Sequence, residues 1–404
     1  MNKTSRISPQ AILKLFLKHA RHPWIAKRLA LLQAEKWWFN LRGPGPSDGS
    51  ADKIRQVSIR ITDVCNLRCI MCGQWGERGF LLDKDLAELK REEVPARRYI
   101  YLLDDLAAHG HWPIVYLWGG EPMLYPGTLE IIEHAARLGL PASIATNGTR
   151  LAQGAEVFAS APMHLLQVSI DGHNSALHNA IRRSPAGTDT FAEIMRGLQL
   201  VREARDRAGK GLPIIASLTT ISRENHGHLV DIYERLSPEV DFLVFYLSWW
   251  IDEQAASAHD ADFERRFGFK PSLHRGWIGG WKPEDYGLIQ AQLAEIRQRS
   301  ARKGTAPAIL IPDIDGVDNL RTYYTDHAAT FGYERCISIR QAVEINSNGD
   351  MSPCRDYHDY VVGNVRERTV TEIWNSEPYR RFRQSLARDG LMPACTRCCG
   401  LMGY

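Results

Sequence analysis

The sequence has no apolar run approaching the roughly 18 to 20 residues that cross a bilayer, and no basic stretch, short apolar core and small-residue cleavage site opens it. These absences argue against a spanning helix and a secretory leader, so a cytoplasmic location is the default expectation. Cysteine is sparse and unevenly placed: eight in 404 residues, with none between Cys72 and Cys336. In an intracellular type of chain such clusters suit metal ligands or catalytic groups better than disulfides. Acid is nearly missing from residues 1–42, where nine Lys or Arg face Glu35 alone, although the whole chain is only +3. With 44% hydrophobic and 24% charged residues, the rest is ordinary for a globular protein with room for two or three domains and a large core.

The basic segment places Ile12, Leu13, Phe16 and Leu17, then Ile25, Leu29 and Leu32, at helical spacing, with Pro23 separating two helices. A basic amphipathic helix ending in Trp37 and Trp38 can lie on an anionic membrane surface, which would be a peripheral contact at the inner face. Packing on the protein's own body or on a partner is the competing reading. Nucleic acid is not expected, because the aromatic and basic residues do not form a stacking groove. "GPGPSDGSAD", 43–52, reads as a linker.

From residue 54 onward, short apolar runs alternate with helical patterns. Strands are expected at 55–62, 113–118, 141–147, 164–171, 213–221 and 240–248. Six βα repeats imply a parallel sheet curled into a partial (β/α)6 barrel, with chemistry on loops at the strands' carboxyl ends. Four motifs fall there: "CNLRCIMC" after the first strand, "GGEP" (119–122) after the second, "TNG" (146–148) after the third and "SIDG" (169–172) after the fourth.

Soft thiolates select zinc or iron-sulfur clusters. Structural zinc takes four closed ligands, whereas a cubane held by three cysteines keeps one iron open. Such an iron can chelate an amino group and carboxylate beside a sulfonium and deliver one electron. The glycines of "GGEP" allow close backbone approach, Glu121 offers negative charge to an amino group, and Ser169 and Arg182 suit a carboxylate and a ribose. Taken alone, the Cys triplet leaves zinc open.

Together, C-x3-C-x2-C, "GGEP" and "SIDG" followed by "HNAIRR" resemble the radical S-adenosylmethionine (SAM) superfamily across residues 55 to about 250. The resemblance implies that Cys65, Cys69 and Cys72 hold a 4Fe-4S cluster. Gly119, Gly120, Glu121 and Pro122 would then meet the methionine amino group, with Asn147, Ser169, Asp171 and Arg182 around the rest of SAM. The family's usual aromatic before the third cysteine is Met71 here, a polarizable group that can still pack on adenine. In the tail, "VEINSNGDMSPC" reads as a hairpin turning at Asn348-Gly349. With the closing "CTRCCG", it resembles the SPASM and twitch extensions, implying a second 4Fe-4S cluster on Cys336, Cys354, Cys395 and Cys398. Cys398 and Cys399 compete for the last place. A four-thiolate zinc is the alternative there, and a non-enzymatic zinc-binding module is the remote one.

The expected organisation is a helical extension and linker (1–50), a radical SAM partial barrel (51–250), a connecting and substrate-capping segment (251–335) and an auxiliary β-hairpin/helix cluster domain (336–404). The implied function is hydrogen abstraction by a 5'-deoxyadenosyl radical from a C–H of a small natural product or sugar-like substrate, in an oxidation with the second cluster as relay. A peptide-modifying maturase is the alternative, and flavodoxin or ferredoxin the implied electron donor. Cys399 is the candidate hydrogen donor for an epimerisation. Trp249, Trp250, Trp277 and Trp281 either form a substrate platform or pack structurally.

Overall fold

The computed structural model describes residues 45–402 except 162, 356 and 357, together with positions 31, 34, 35, 38, 39, 41 and 43. Most of the basic arm lies outside the described residues. The strands are β1 (Gln56–Thr62), β2 (Arg68–Cys69), β3 (Ile114–Gly119), β4 (Ala142–Thr146), β5 (Leu165–Ser169), β6 (Arg182–Arg183), β7 (Ile214–Thr220), β8 (Phe242–Tyr246), β9 (Ala308–Ile311), β10 (Ala342–Ile345), β11 (Asp350–Ser352) and β12 (Gly363–Asn364). Ten of them form one sheet in the order β12-β11-β10-β1-β3-β4-β5-β7-β8-β9, and β2 pairs with β6 in a separate ribbon. From β10 to β9 every pairing is parallel, with helices between, which gives the partial α/β barrel.

All six strands expected before residue 250 are present. A seventh parallel strand, β9, lies inside the segment expected to cap the substrate. The tail's hairpin, β10 and β11, does not stand apart. Its first strand pairs in parallel with β1, Ser58 opposite Glu344 and Ile59 opposite Ile345, so the sheet that carries the first cysteine loop continues into the tail.

Side chains alternate along the strands as a half-buried sheet requires. Val57, Ile59, Ile61, Val115, Leu117, Ile144, Leu166 and Val168 join the main core under the helices. The opposite face carries Ser58, Arg60 and Thr62 on β1, Tyr116 and Trp118 on β3, Gln167 and Ser169 on β5, and Leu218 and Thr220 on β7, in register across the sheet. A filled barrel stacks branched apolar residues inside. Here Tyr116, Trp118, Gln167, Ser169, Leu218 and Thr220 remain half-exposed on that face, while Ser58, Arg60 and Thr62 are buried and the Arg355 guanidinium lies over Tyr116 and Trp118, so the lumen is polar and partly filled on the β1 side.

A buried cation ties the tail to the segment that leads into β1. Arg383 is fully buried between the rings of Trp374 and Tyr379, each 4.0 Å from its guanidinium carbon. It donates to the carbonyls of Ile339 and Gly49. Trp374, at the end of a helix opened by a Thr369/Glu372 capping box, donates its indole N–H to the Ala51 carbonyl at 2.8 Å. Among the described residues no helix is long and apolar enough to cross a membrane.

Candidate active site

The loop after β1 is shaped by its own thiols and by the β2/β6 ribbon. Cys69 is the register partner of Arg182, and the Ile70 N–H donates to the Ile181 carbonyl at 3.1 Å, fixing this loop against the segment that follows β5. The sulfurs face donors: Leu67 N–H toward Cys65 Sγ at 3.5 Å, Trp75 N–H toward Cys72 Sγ at 3.4 Å, Arg182 Nη1 toward Cys69 Sγ at 3.8 Å and Asn147 Nδ2 toward Cys65 Sγ at 4.0 Å. Burial pushes the Cys65 and Cys69 thiols up to about 12, so without a cation they keep their protons. Three free thiols with N–H groups aimed at sulfur fit a cluster that displaces those protons.

"GGEP" holds this loop from the neighbouring strand. Gly119 has φ 151°, and a β-carbon there would sit 2.3 Å from the Thr62 carbonyl oxygen; at Gly120 it would sit 2.3 Å from that of Val64. The N–H groups of Gly120 and Glu121 donate to these two carbonyls at 2.8 Å each. The glycines are therefore required for the approach of the two loops themselves. Glu121 is fully buried and uses its carboxylate internally. Oε1 accepts from Met123 N–H at 2.9 Å and Thr146 Oγ1 at 2.7 Å, and Oε2 accepts from Asn147 N–H at 2.7 Å. Burial still raises its pKa above the ordinary carboxylate range, against these three donors.

Asp171 is likewise buried and internal. Its Oδ2 accepts from Arg182 Nε at 2.6 Å and its Oδ1 from Thr220 N–H at 2.8 Å, so Arg182 is aimed at Cys69 by a paired carboxylate. Ser169 stays half-exposed at the end of β5, facing the lumen. Pro122 opens a short 3-10 turn that Glu121 caps, and Met71 lies half-buried in the cysteine loop.

Several residues of the site carry no sequence signature. Asn66 takes the Asn147 amide on its Oδ1 at 2.9 Å and donates to Thr149 Oγ1 at 3.1 Å, joining the cysteine and "TNG" loops. Asn225, fully buried, donates to the Asp171 carbonyl at 3.0 Å. His178 accepts from the Asp171 N–H at 3.3 Å, and burial depresses it to about 3, which keeps it neutral.

The tail cysteines arrive on three segments. Cys354 follows β11 and packs on the apolar cluster of Ile251, Ala255, Ala256 and Ala394, which places it beside the turn carrying Cys395. Cys395 and Cys398 are buried, and a β-carbon at Gly400 would lie 3.4 Å from Cys398 Sγ and 4.0 Å from Ser338 Oγ, so the stretch after Cys336 reaches the same corner. The side chain of Cys399 lies outside the described residues. The four tryptophans at the end of the barrel and in the connecting segment are half-buried and mostly set against other rings: Trp249 on Tyr246, Trp250 on His327, Trp281 near His226 and Tyr324, while Trp277 covers Gly73.

Comparison with known proteins places this geometry. Residues 59–236 match the radical SAM superfamily and residues 336–399 the SPASM iron-sulfur cluster-binding domain. The chain belongs to the radical SAM superfamily. It is a radical SAM/SPASM protein, and its cofactors are accordingly S-adenosylmethionine and iron-sulfur clusters, a 4Fe-4S cluster in the radical SAM domain and further iron-sulfur in the SPASM domain. It is 26% identical to a Methanosarcina barkeri protein named AdoMet-dependent heme synthase, over 84% of this chain and 88% of that one. It is 25% identical to a Pyrococcus furiosus protein named tungsten-containing aldehyde ferredoxin oxidoreductase cofactor-modifying protein, over 85% and 87%. The radical SAM/SPASM fold is shared with Streptococcus suis SuiB bound to S-adenosylmethionine, with TM-score 0.56, 14% identity and coverage of 92% of this chain and 79% of that one.

Proposed function

We propose that this radical SAM/SPASM enzyme removes a hydrogen atom from a C–H bond of a small molecule held in the barrel lumen, in a net oxidation with the auxiliary cluster as electron relay. The observation that carries the reading is the parallel pairing of β10 with β1: it carries the tail into the sheet of the first cysteine loop, with Cys354 following β11, the second strand out from β1.

In this reading Cys65, Cys69 and Cys72 hold the first cluster. Bound there with SAM, that cluster supplies the electron that cleaves the carbon-sulfur bond and yields the 5'-deoxyadenosyl radical. The chain's own residues do the positioning. The 119–122 backbone faces the methionine amino group, held in place by Glu121 through Thr146 and Asn147. Arg182, aimed by Asp171, and Ser169 receive the carboxylate and ribose, and Met71 packs on adenine. Cys336, Cys354, Cys395 and Cys398 ligate the second cluster, whose four thiolates leave it no open iron and suit it to electron transfer. Flavodoxin or ferredoxin is the proposed reductant.

The half-exposed Tyr116, Trp118, Gln167 and Ser169 give the lumen a polar and aromatic lining suited to a small polar substrate. The relatives named heme synthase, similar over most of their length, support a non-peptide substrate. Peptide modification is the second reading, favoured by the fold shared with SuiB, solved bound to its precursor peptide SuiA. Epimerisation, with Cys399 returning hydrogen, is the alternative outcome of the same radical step. The basic arm is proposed to touch an anionic membrane surface.

The deciding experiment is anaerobic turnover with reductant, SAM and deuterated tetrapyrroles, sugars or peptides. Deuterium transferred into 5'-deoxyadenosine from one class identifies the substrate class. Abortive cleavage with every class, without transfer, overturns the lumen reading.

A further inference from the structure

Two loops at the carboxyl ends of neighbouring strands bring together a donor set that the radical chemistry does not use. His173 follows Gly172 in the loop after β5, and His228 and Asp231 begin the helix Leu229–Leu236 that follows β7. One ring nitrogen from each histidine and one Asp231 carboxylate oxygen all lie within 4.8 Å of one another. His228 Nδ1 is 3.0 Å from Asp231 Oδ2, and the two imidazoles pack tilted at 44° with centroids 5.3 Å apart.

The His228–Asp231 contact taken alone is an ordinary helix-start pair, but it leaves His173 unexplained. The Asn174 side chain accepts from the Leu177 N–H at 2.9 Å, which fixes its amide with Nδ2 turned to His173 Nε2 at 2.7 Å. The amide therefore donates, and Nε2 carries the lone pair while the ring proton sits on Nδ1. That Nδ1 is buried and has no hydrogen-bond partner among the described residues. The lone pair of the ring is thus engaged only by a side-chain amide that a cation can displace.

We infer that His173, His228 and Asp231 form a binding site for a zinc-type divalent cation, with its remaining positions open to water. Two neutral imidazoles and one carboxylate are a donor set that zinc accepts, and no thiolate is needed. The cation would clip together two loops at the barrel mouth. His173 is two residues beyond Asp171, which holds Arg182, and His228 is three residues beyond Asn225, which donates to the Asp171 carbonyl. A bound cation would stiffen the arrangement from outside, without contact with the cysteines. The inference stands independently of the radical reading.

The test uses the full chain with its iron-sulfur clusters assembled, mixed with Zn2+ alone, desalted and analysed for zinc and iron by plasma mass spectrometry. The expected result is one retained zinc per chain with iron unchanged and a zinc-dependent rise in melting temperature. His228→Ala and Asp231→Asn should each weaken zinc binding by at least about tenfold, while keeping the iron content and the zinc-free melting temperature. The inference is overturned if the wild type retains no zinc, if zinc is gained only as iron is lost, or if a His173→Ala/His228→Ala variant retains as much as the wild type.

Discussion

The indole of Trp277 lies against the backbone of Gly73: a β-carbon at position 73 would sit 2.6 Å from its Cε2 and 2.8 Å from its Cζ2. Gly73 follows Cys72, and Trp277 packs with Cys354 on the cluster of Ile251, Ala255, Ala256 and Ala394. One aromatic side chain therefore touches the first cysteine loop and the neighbourhood of the second set. Gly73→Ala overpacks this contact and should lower stability by about 1–3 kcal/mol. A double-mutant cycle in urea checks the cause. Trp277→Ala removes the obstacle, so the combined variant should lose clearly less than the sum of the two single losses, and simple additivity would place the strain elsewhere.

Glu121 gives a pH-dependent prediction. Its folded-state pKa is raised by burial, so the native state binds its proton more readily than the unfolded chain. The stability linked to this carboxyl is therefore fully present below the ordinary glutamate pKa and is lost as pH rises through the raised value. Glu121→Gln removes that dependence. It also turns an amide N–H toward the Asn147 N–H in one orientation, or toward Met123 N–H and Thr146 in the other, and should cost about 1–3 kcal/mol. Urea midpoints from pH 4 to 8 in both proteins measure this; parallel curves would mean that Glu121 does not titrate differently on folding.

The two sets of cysteines should be separable by counting iron. Anaerobically reconstituted protein is expected to hold about eight irons, and the Cys65→Ala/Cys69→Ala/Cys72→Ala variant about four, with SAM cleavage abolished. Replacing Cys336 and Cys354 instead should leave about four irons and preserve some reductive SAM cleavage. Stoichiometric zinc with negligible sulfide in the wild type would contradict both assignments.

Local patterns carried the barrel into the sequence. "RQVSIRIT" and its five successors alternate or run apolar between turn residues, and each is a strand within a few residues of the expected limits. β9 escaped because it is four residues long and bounded by Pro307 and Pro312, turn residues that mask a half-buried edge strand. The hairpin at Asn348-Gly349 was legible, but its pairing with β1 joins residues some 290 positions apart, and no local pattern records that. At the site, the spacing of Cys65, Cys69 and Cys72 was readable, whereas the internal use of Glu121 and Asp171 was not. Whether a carboxylate faces a ligand or its own protein is decided by donors such as Thr146, Asn147 and Thr220, which only the folded sheet brings near.

The end of the arm supplies a surface prediction. Leu31, Ala34, Trp38 and Leu41 are exposed at helical spacing, while Glu35, on another side, pairs with Arg55 and accepts from Gln341 Nε2 at 2.8 Å. This apolar face, set in a segment of net charge +8, matches an anionic bilayer surface. Removal of residues 1–42, or Leu31→Glu with Leu41→Glu, should weaken flotation with phosphatidylglycerol vesicles, and added salt should weaken that of the wild type. Equal binding by all forms would return the arm to protein packing.

Cys399 stands beside Cys398, one thiol more than the proposed ligand sets of the two clusters take. A thiol S–H is weak enough for a carbon radical to take its hydrogen atom, so a thiol on the face opposite the deoxyadenosyl group would invert the substrate carbon. The sulfur-centred radical left behind then needs one electron and one proton, which the external reductant and solvent supply. If this is the reaction, Cys399→Ala should keep about eight irons and still release 5'-deoxyadenosine with substrate present, yet form no inverted product. In deuterated water the wild type should place one deuterium on the product carbon, because thiol protons exchange with solvent. Dehydrogenation predicts the opposite pair of results: an unsaturated or oxidised product without solvent deuterium at that carbon, and the same product from Cys399→Ala. Mass spectrometry of the product from the two proteins therefore decides between hydrogen return and electron transfer to the auxiliary cluster.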